Sequence, residues 1–322
     1  MTETEIVIGI DIGGTTTSLG CVDIQGRLHA EATMATRGDQ PAAQLVSRLH
    51  QAIEQLKEEL PTGTELAGIG IGAPNANYLR GTVEHPVNLN WDESTNLVEL
   101  VQSHYQLPVT ITNDANAAAL GEMVFGGARG MKDFIVITLG TGLGSGVVSN
   151  GGLVCGADGF AGELGHTIVD PDGRQCACGQ HGCLETYVSA TGLCRTVAVL
   201  LGELLDPSCL RTISFQELTS KMVYEAACQQ DTIALTAFDR TARTLAMKLA
   251  DAVAHTAPEA IFFCGGLATA EEFLIPATQR YLEKFLFPIY RGKVSLLPSS
   301  LPGSASAILG AAALIWHKLK GK

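Results

Sequence analysis

Between Glu163 and Glu185 the chain reads Glu163-Leu-Gly-His166, then Cys176-Ala-Cys178-Gly, then Gly-Cys183-Leu-Glu185. One histidine and three cysteines are the soft nitrogen and sulfur ligands that tetrahedral zinc favours, and two carboxylates that the metal does not need bracket them. Four protein ligands leave no open coordination position, so zinc on His166, Cys176, Cys178 and Cys183 would be structural rather than catalytic. Such a knot would hold Glu163, the His166 ring and Glu185 in fixed relation, as a polyhydroxylated ligand requires. Without a metal the same cysteines are ordinary buried or surface thiols. Three of them within eight residues, spaced by glycines and close to a histidine, favour the metal reading.

Two glycine-threonine loops offer a second chemistry. Asp11-Ile-Gly13-Gly14-Thr15-Thr16 puts an acid at the end of an apolar run, ahead of a turn whose N–H groups and hydroxyls suit an anion. Gly140-Thr141-Gly142-Leu-Gly144-Ser-Gly repeats the arrangement. Either loop alone is equally well an ordinary tight hairpin; the pair suggests two jaws for a polyphosphate. There is no GxxxxGK[ST], and Gly140-x-Gly142-x-Gly144 falls in a hairpin rather than at the start of a helix, so no dinucleotide fingerprint is present. Asn113-Asp114 marks a strand-to-helix junction. One of the two serves as helix cap, leaving the other free at a strand end, where α/β sheets bind ligands. An ionised Asp there can accept a proton from an alcohol as its oxygen attacks phosphorus.

The elements that carry these residues alternate between strand and helix. Glu5–Ile10 reads as a buried strand, 16–24 as its return, 41–60 as a helix stopped by Pro61, and 66–72 as a glycine-rich strand. Val109–Thr112 is a further strand, and 115–125 an alanine-rich helix. From Phe134 the pattern restarts: strand 134–139, glycine turn, strand 145–149, a long helix over 232–256 and a strand 260–264 ending in Gly265-Gly266. That echo predicts two similar α/β halves. The 208–230 stretch is helical in flavour.

With 9 cysteines in 322 residues, several of them inside apolar runs, the chain is not a secreted disulfide scaffold. Its acidic start carries no export signal, and its longest apolar tract is too short to span a bilayer; the expectation is a cytoplasmic protein. A net charge of -12 argues against nucleic acid or an anionic membrane as partner.

Together these motifs resemble the ROK family of bacterial sugar kinases and repressors, within the actin/hexokinase-like ATPase superfamily. The likeness runs over nearly the whole length: the first loop, Asn113-Asp114, the second loop, Glu163-x-Gly-His166, the Cys176–Glu185 motif and Gly265-Gly266. The linked cysteine and Glu-x-Gly-His motifs are specific to the family, and the glycine loops are common to the superfamily. The resemblance implies two ribonuclease-H-like α/β domains closing over ATP and a hexose. The first would comprise 1–114 and 303–322, with the first loop and the catalytic Asp; the second would comprise 115–302, with the second loop, the sugar residues and the zinc motif.

By matching position, the resemblance makes Asp114 the general base and gives Asn113, Glu163, His166 and Glu185 the sugar hydroxyls. His166 would also ligate structural Zn²⁺ through one ring nitrogen. Asp11 would position Mg²⁺; Thr15, Thr16 and Thr141, with Gly13, Gly14, Gly140, Gly142 and Gly144, would face the phosphates. Gly265 and Gly266 would admit the adenosine end. His181 matches no family ligand and is expected to be exposed. Family members often have a glycine after the proline of the Gly-x-Pro segment, where this chain has Gly72-Ala-Pro74-Asn75-Ala-Asn77. Asn75 or Asn77 could reach a sugar hydroxyl, or serve as a turn residue, the reading favoured here. Asn88 resembles the family's Asn-Leu element on the sugar side.

The implied reaction is in-line transfer of the γ-phosphoryl of ATP to a hexose hydroxyl, with glucose to glucose 6-phosphate as the default, as in glycolysis. Kinases for other hexoses or N-acetylmannosamine are the near alternative, and a non-catalytic sugar-sensing regulator the distant one. The first strand begins at about Glu5, which leaves no room for a preceding helix-turn-helix. Homodimers or homotetramers are common among relatives, and no interface is legible in the residues.

Overall fold

A computed structural model of the chain describes residues 4–86, 89–303 and 305–320. Strands β1 (Thr4–Ile12), β2 (Thr16–Asp23) and β3 (Leu28–Ala35) are followed by helix α1 (Ala42–Glu58) and β4 (Thr64–Gly72). The short strands β5 (Ala76–Asn77), β6 (Thr82–Glu84) and β7 (Ser94–Thr95) precede α2 (Leu97–Gln102), β8 (Val109–Thr112) and α3 (Asp114–Val124). A second series runs β9 (Phe134–Leu139), β10 (Leu143–Ser149), β11 (Gly152–Leu153), α4 (Ala190–Glu203), α5 (Ser220–Cys228) and α6 (Thr232–Thr256). It closes with β12 (Ala260–Cys264), α7 (Glu271–Phe285) and β13 (Ser295–Pro298), before the terminal α8 (Ser306–Lys320).

The echo seen in the sequence is a repeat of topology. One sheet has the order β3-β2-β1-β4-β8 and the other β11-β10-β9-β12-β13. In each, a hairpin pairs antiparallel and the next two strands add parallel to it. Parallel strands bring their carboxyl ends to one edge, where α/β sheets collect ligand-binding loops.

Two compact units result. The first contains Met1–Met131, Leu153–Ala161 and Ser300–Lys322. Strand β1 explains its layering. Ile6, Ile8, Ile10 and Ile12 lie on one face, in a core with Leu45, Leu49 and Ile53 of α1, while Val7 faces the other way toward Ile308, Ala312 and Ile315 of α8. The glycines of β4 have the same cause: a Cβ at Gly70 would collide with the Ala311 carbonyl of α8, so only glycine lets that helix lie so close.

The border expected at Asp114 falls later, because α3 belongs to the first unit. Gly121 of α3 and Gly310 of α8 meet at backbone distance, a Cβ on Gly121 coming 3.2 Å from the Gly310 Cα. Residues 153–161 also return to this unit, where Asn77 Nδ2 donates to the Asp158 carbonyl at 2.7 Å. The second unit, Lys132–Gly152 and Gly162–Ser299, has its own core. There the β9 residues Ile135, Ile137 and Leu139 meet Phe238, Leu245 and Leu249 of α6. Among the described residues no helix is long and apolar enough to cross a membrane.

Candidate functional site

In the first unit the site lies at the carboxyl ends of β1, β4 and β8. Asn113 is the N-cap of α3, its Oδ1 accepting from Asn116 N at 2.8 Å. The cap accounts for one of the pair, and the one left over is Asp114. Its Oδ1 accepts from its neighbour Ala115 N at 2.9 Å, and its side chain is reached by solvent. Desolvation nonetheless raises its pKa, against the lowering effect of backbone N–H groups. Asp11, at the end of β1, is pushed up to about 6, first by burial and second by the charge of Asp114. A carboxylate at the end of β1 and one at the start of α3 thus feel each other.

The first loop is held from below by a residue the sequence reading passed over. Thr36, just past β3, bonds Thr17 Oγ1 at 2.9 Å and donates to the Gly13 carbonyl at 2.7 Å, while its N–H reaches the Thr15 carbonyl at 2.8 Å. Gly14, Thr15 and Thr16 remain exposed. A buried threonine 20 residues from the loop carries no local signal, since only the β2–β3 pairing brings it there.

Asn75 has φ 54 and donates from Nδ2 to the His85 carbonyl at 3.0 Å, as a turn asparagine does. Asn77 is fully buried, and its Oδ1 accepts from Leu79 N and Arg80 N. Asn88 lies outside the described residues.

In the second unit the Gly140-Thr141-Gly142 turn joins β9 to β10, with Thr141 exposed and Gly144 N donating to Thr138 Oγ1 at 3.2 Å. The turn rests on the start of α4, where Ala190 N donates to the Gly140 carbonyl at 2.9 Å and Thr191 Oγ1 to the Thr141 carbonyl at 2.9 Å. Gly265, at the end of the parallel neighbour β12, has φ 93 and lies against the Leu139 backbone, so it needs to be glycine for the fold. Gly266 has nothing near it; with Ser220, Lys221 and Tyr224 of α5 it lines a cavity of ≈ 320 Å³.

Glu163 precedes the 3₁₀ turn Leu164–His166 and is exposed. Ser145 on β10 fixes that turn, donating to the Gly162 carbonyl and accepting from Leu164 N. A Cβ on Gly165 would strike the Leu143 carbonyl, which explains the glycine of Glu-x-Gly-His. Glu185 Oε1 accepts from Cys176 Sγ at 3.0 Å, and its Oε2 lies 3.4 Å from Leu143 N beside the second loop.

The structure gathers the four expected metal ligands. One donor atom from each of His166, Cys176, Cys178 and Cys183 falls within 4.8 Å of the others. Cys176 Sγ is 3.8 Å from His166 Nδ1, and Cys178 Sγ is 3.6 Å from Cys183 Sγ. A tetrahedron with about 2.3 Å metal–sulfur bonds has edges of roughly 3.8 Å, so these spacings fit a zinc-sized ion with His166 binding through Nδ1. His181 is exposed and outside the cluster.

Arg174, which carried no motif, fastens this loop. It donates to the Thr186 carbonyl at 2.7 Å, the Gly192 carbonyl at 3.1 Å and Thr196 Oγ1 at 3.0 Å, and it stacks 4.4 Å over the Tyr187 ring.

The repeated sheet, with glycine-threonine turns at the ends of equivalent strands, defines a protein of the actin/hexokinase fold class. Within that class the chain belongs to the ROK family, whose model matches residues 7–318. It is 33% identical over 307 residues to a glucokinase of Halalkalibacterium halodurans, across 94% of this chain and 93% of that one. It is 29% identical to a putative xylose repressor of a Caldicellulosiruptor species, across 96% of this chain and 78% of that one. Among solved structures it is similar to a ROK family glucokinase from Streptomyces griseus in complex with glucose and AMPPNP. That likeness has a TM-score of 0.76 at 34% identity, over 96% of this chain and 98% of the other.

Proposed function

We propose that the chain is an ATP-dependent sugar kinase that phosphorylates a hexose, with glucose as the default substrate and glucose 6-phosphate as product. The observation that carries this reading is Asp114. Asn113 takes the cap, so the Asp114 carboxylate is left solvent-reachable at the strand edge with a raised pKa, as a general base requires. The likeness to glucokinases, one of them with glucose and an ATP analogue bound, supplies the substrate class.

In this mechanism Asp114 accepts the hydroxyl proton as the sugar oxygen attacks the γ-phosphorus in line. Asn113, Glu163, His166 and Glu185 orient the sugar through its other hydroxyls, with Asn88 and the free oxygen of Asn75 as further contacts. Thr15, Thr16 and Thr141 and the loop N–H groups face the phosphates, and the ≈ 320 Å³ cavity beside Gly266 takes the adenosine end. Mg²⁺, arriving with the nucleotide, offsets phosphate charge; Asp11 would hold it, and the mutual repulsion of Asp11 and Asp114 is what a nearby cation relieves.

Zinc on the three thiolates and His166 Nδ1 would be structural. Thiolate formation removes the proton that Cys176 donates to Glu185, freeing that carboxylate for a sugar hydroxyl. The His166 ring would use its remaining nitrogen in the same way.

The test is ATP- and Mg²⁺-dependent phosphorylation of a panel of hexoses and N-acetylhexosamines, beside Asp114→Ala. Turnover of one sugar, absent in the variant, is expected. The likeness to xylose repressors over nearly the whole chain keeps a second reading, a sugar-responsive regulator. Sugar binding without turnover of any panel member would select it.

A further inference from the structure

We propose that the second unit carries a separate anion site, an open cavity of ≈ 670 Å³ that binds a small phosphate monoester between α4, α6 and the end of α7. Its walls bring together Arg174, Arg240 and Arg243, with Thr241, Tyr187 and Phe285 among the other lining residues, and no carboxylate among the described residues that line it. This goes beyond the sugar kinase reading, because none of these residues is proposed to touch the sugar, the nucleotide or the metal; Arg174 only braces the metal-motif loop.

The charge distribution is the first argument. Arg240 is paired with Glu203 at 3.0 Å. Arg174 bonds only uncharged oxygens, and Arg243 has no ion-pair partner among the described residues. The cavity therefore keeps two uncompensated positive charges in a chain whose net charge is -12. Elsewhere Arg80 pairs with Glu84 and Asp158 and Arg280 with Asp239, while the exposed Arg27, Arg37, Arg129, Arg211 and Arg291 make no ion pair among the described residues; what sets Arg174 and Arg243 apart is that they converge on one cavity. A dianionic phosphate matches the two charges that remain.

Preorganisation is the second. Three hydrogen bonds and the Tyr187 ring hold the Arg174 guanidinium, leaving Nε–H and one Nη2–H without a partner among the described residues. A fork already fixed loses little entropy when it binds a phosphate. Arg240 and Arg243 lie one turn apart on an exposed face of α6, whose opposite face is core. Thr241, 2% exposed, lines the same wall, and its hydroxyl, itself buried, has no hydrogen-bond partner among the described residues. Met247 and Phe285 add apolar wall for the organic part of the ligand, and the volume lies within the usual range for small-molecule sites, roughly 300–1,000 Å³.

The test is calorimetric titration of the full chain with inorganic phosphate, glucose 6-phosphate and AMP, for wild type and Arg243→Gln. Arg243 is exposed, and glutamine is a good helix former, so that variant should fold; its melting curve checks this. At least one organic monoester is expected to bind more tightly than inorganic phosphate. That binding should weaken about tenfold or more in Arg243→Gln. Equal binding by wild type and Arg243→Gln would overturn the proposal, since the phosphate loops alone would explain it. So would inorganic phosphate binding as tightly as every ester. A change of sedimentation with Arg243→Gln, at equal ester binding, would instead assign the face to a second copy of the chain.

Discussion

In the proposed reaction Asp11 and Asp114 carry the chemistry, and the same two carboxylates give the folded chain part of its pH dependence. In the folded chain Asp11 titrates near 6 instead of 3.8. The native state then holds this proton more tightly than the unfolded state between those values. The stability Asp11 contributes is therefore highest below about pH 4 and falls as pH rises toward 6, by at most about 3 kcal/mol; the raised pKa of Asp114 acts in the same direction. Denaturant melts of the nucleotide-free protein from pH 4 to 7 should show this fall, and Asp11→Asn should flatten it. Asp114→Asn should keep sugar affinity while lowering kcat by about 10²–10⁴-fold, and an unchanged kcat would remove the base assignment. Cys178→Ser should lose bound zinc in elemental analysis and weaken sugar binding with it. Fully active wild type without zinc would refute the knot. The acid at the strand end and the cysteine spacing were legible as residue types. Thr36 and Arg174 were not, because their work is to brace backbone that only tertiary folding delivers to them.

At the scale of elements, the strands with the clearest period fell where the pattern placed them, β1, β9 and β12 within one or two residues at most ends. Strands β3 and β13 and helices α2, α4 and α7 have no counterpart among the elements the sequence pattern predicts. β3 alternates Leu28 through Ala35 with alanines and threonines too small to mark a face, and α7 carries Pro276 in its first half. The glycine-rich character of β4 was visible, but its cause lies 240 residues away in α8. Gly70→Ala must push the Ala311 carbonyl, so we expect a loss of about 1–3 kcal/mol in urea melts. The same substitution at Gly266, where a Cβ meets nothing, should leave stability within about 0.5 kcal/mol and act, if anywhere, on nucleotide affinity.

For the whole molecule, each unit has its own sheet and core. A ligand that binds only the folded protein stabilises it by RT ln(1 + [L]/Kd), about 2.7 kcal/mol at one hundred times Kd. Glucose together with a non-hydrolysable ATP analogue should therefore raise Tm by about 4 °C or more. Xylose giving the larger rise would point to the regulator reading. The sequence by itself determined the fold class, the repeat, the loops and the candidate Cys/His cluster, because each is written in nearby residues whose spacing is their geometry. Only the tertiary structure decided where the first unit ends, since α3 is tied to it by glycine contacts with a helix at the other end of the chain. It also decided which of Asn113 and Asp114 is the cap, and that Arg174, Arg240 and Arg243 share one cavity. Those outcomes depend on which distant segments touch, and local pattern carries no record of that.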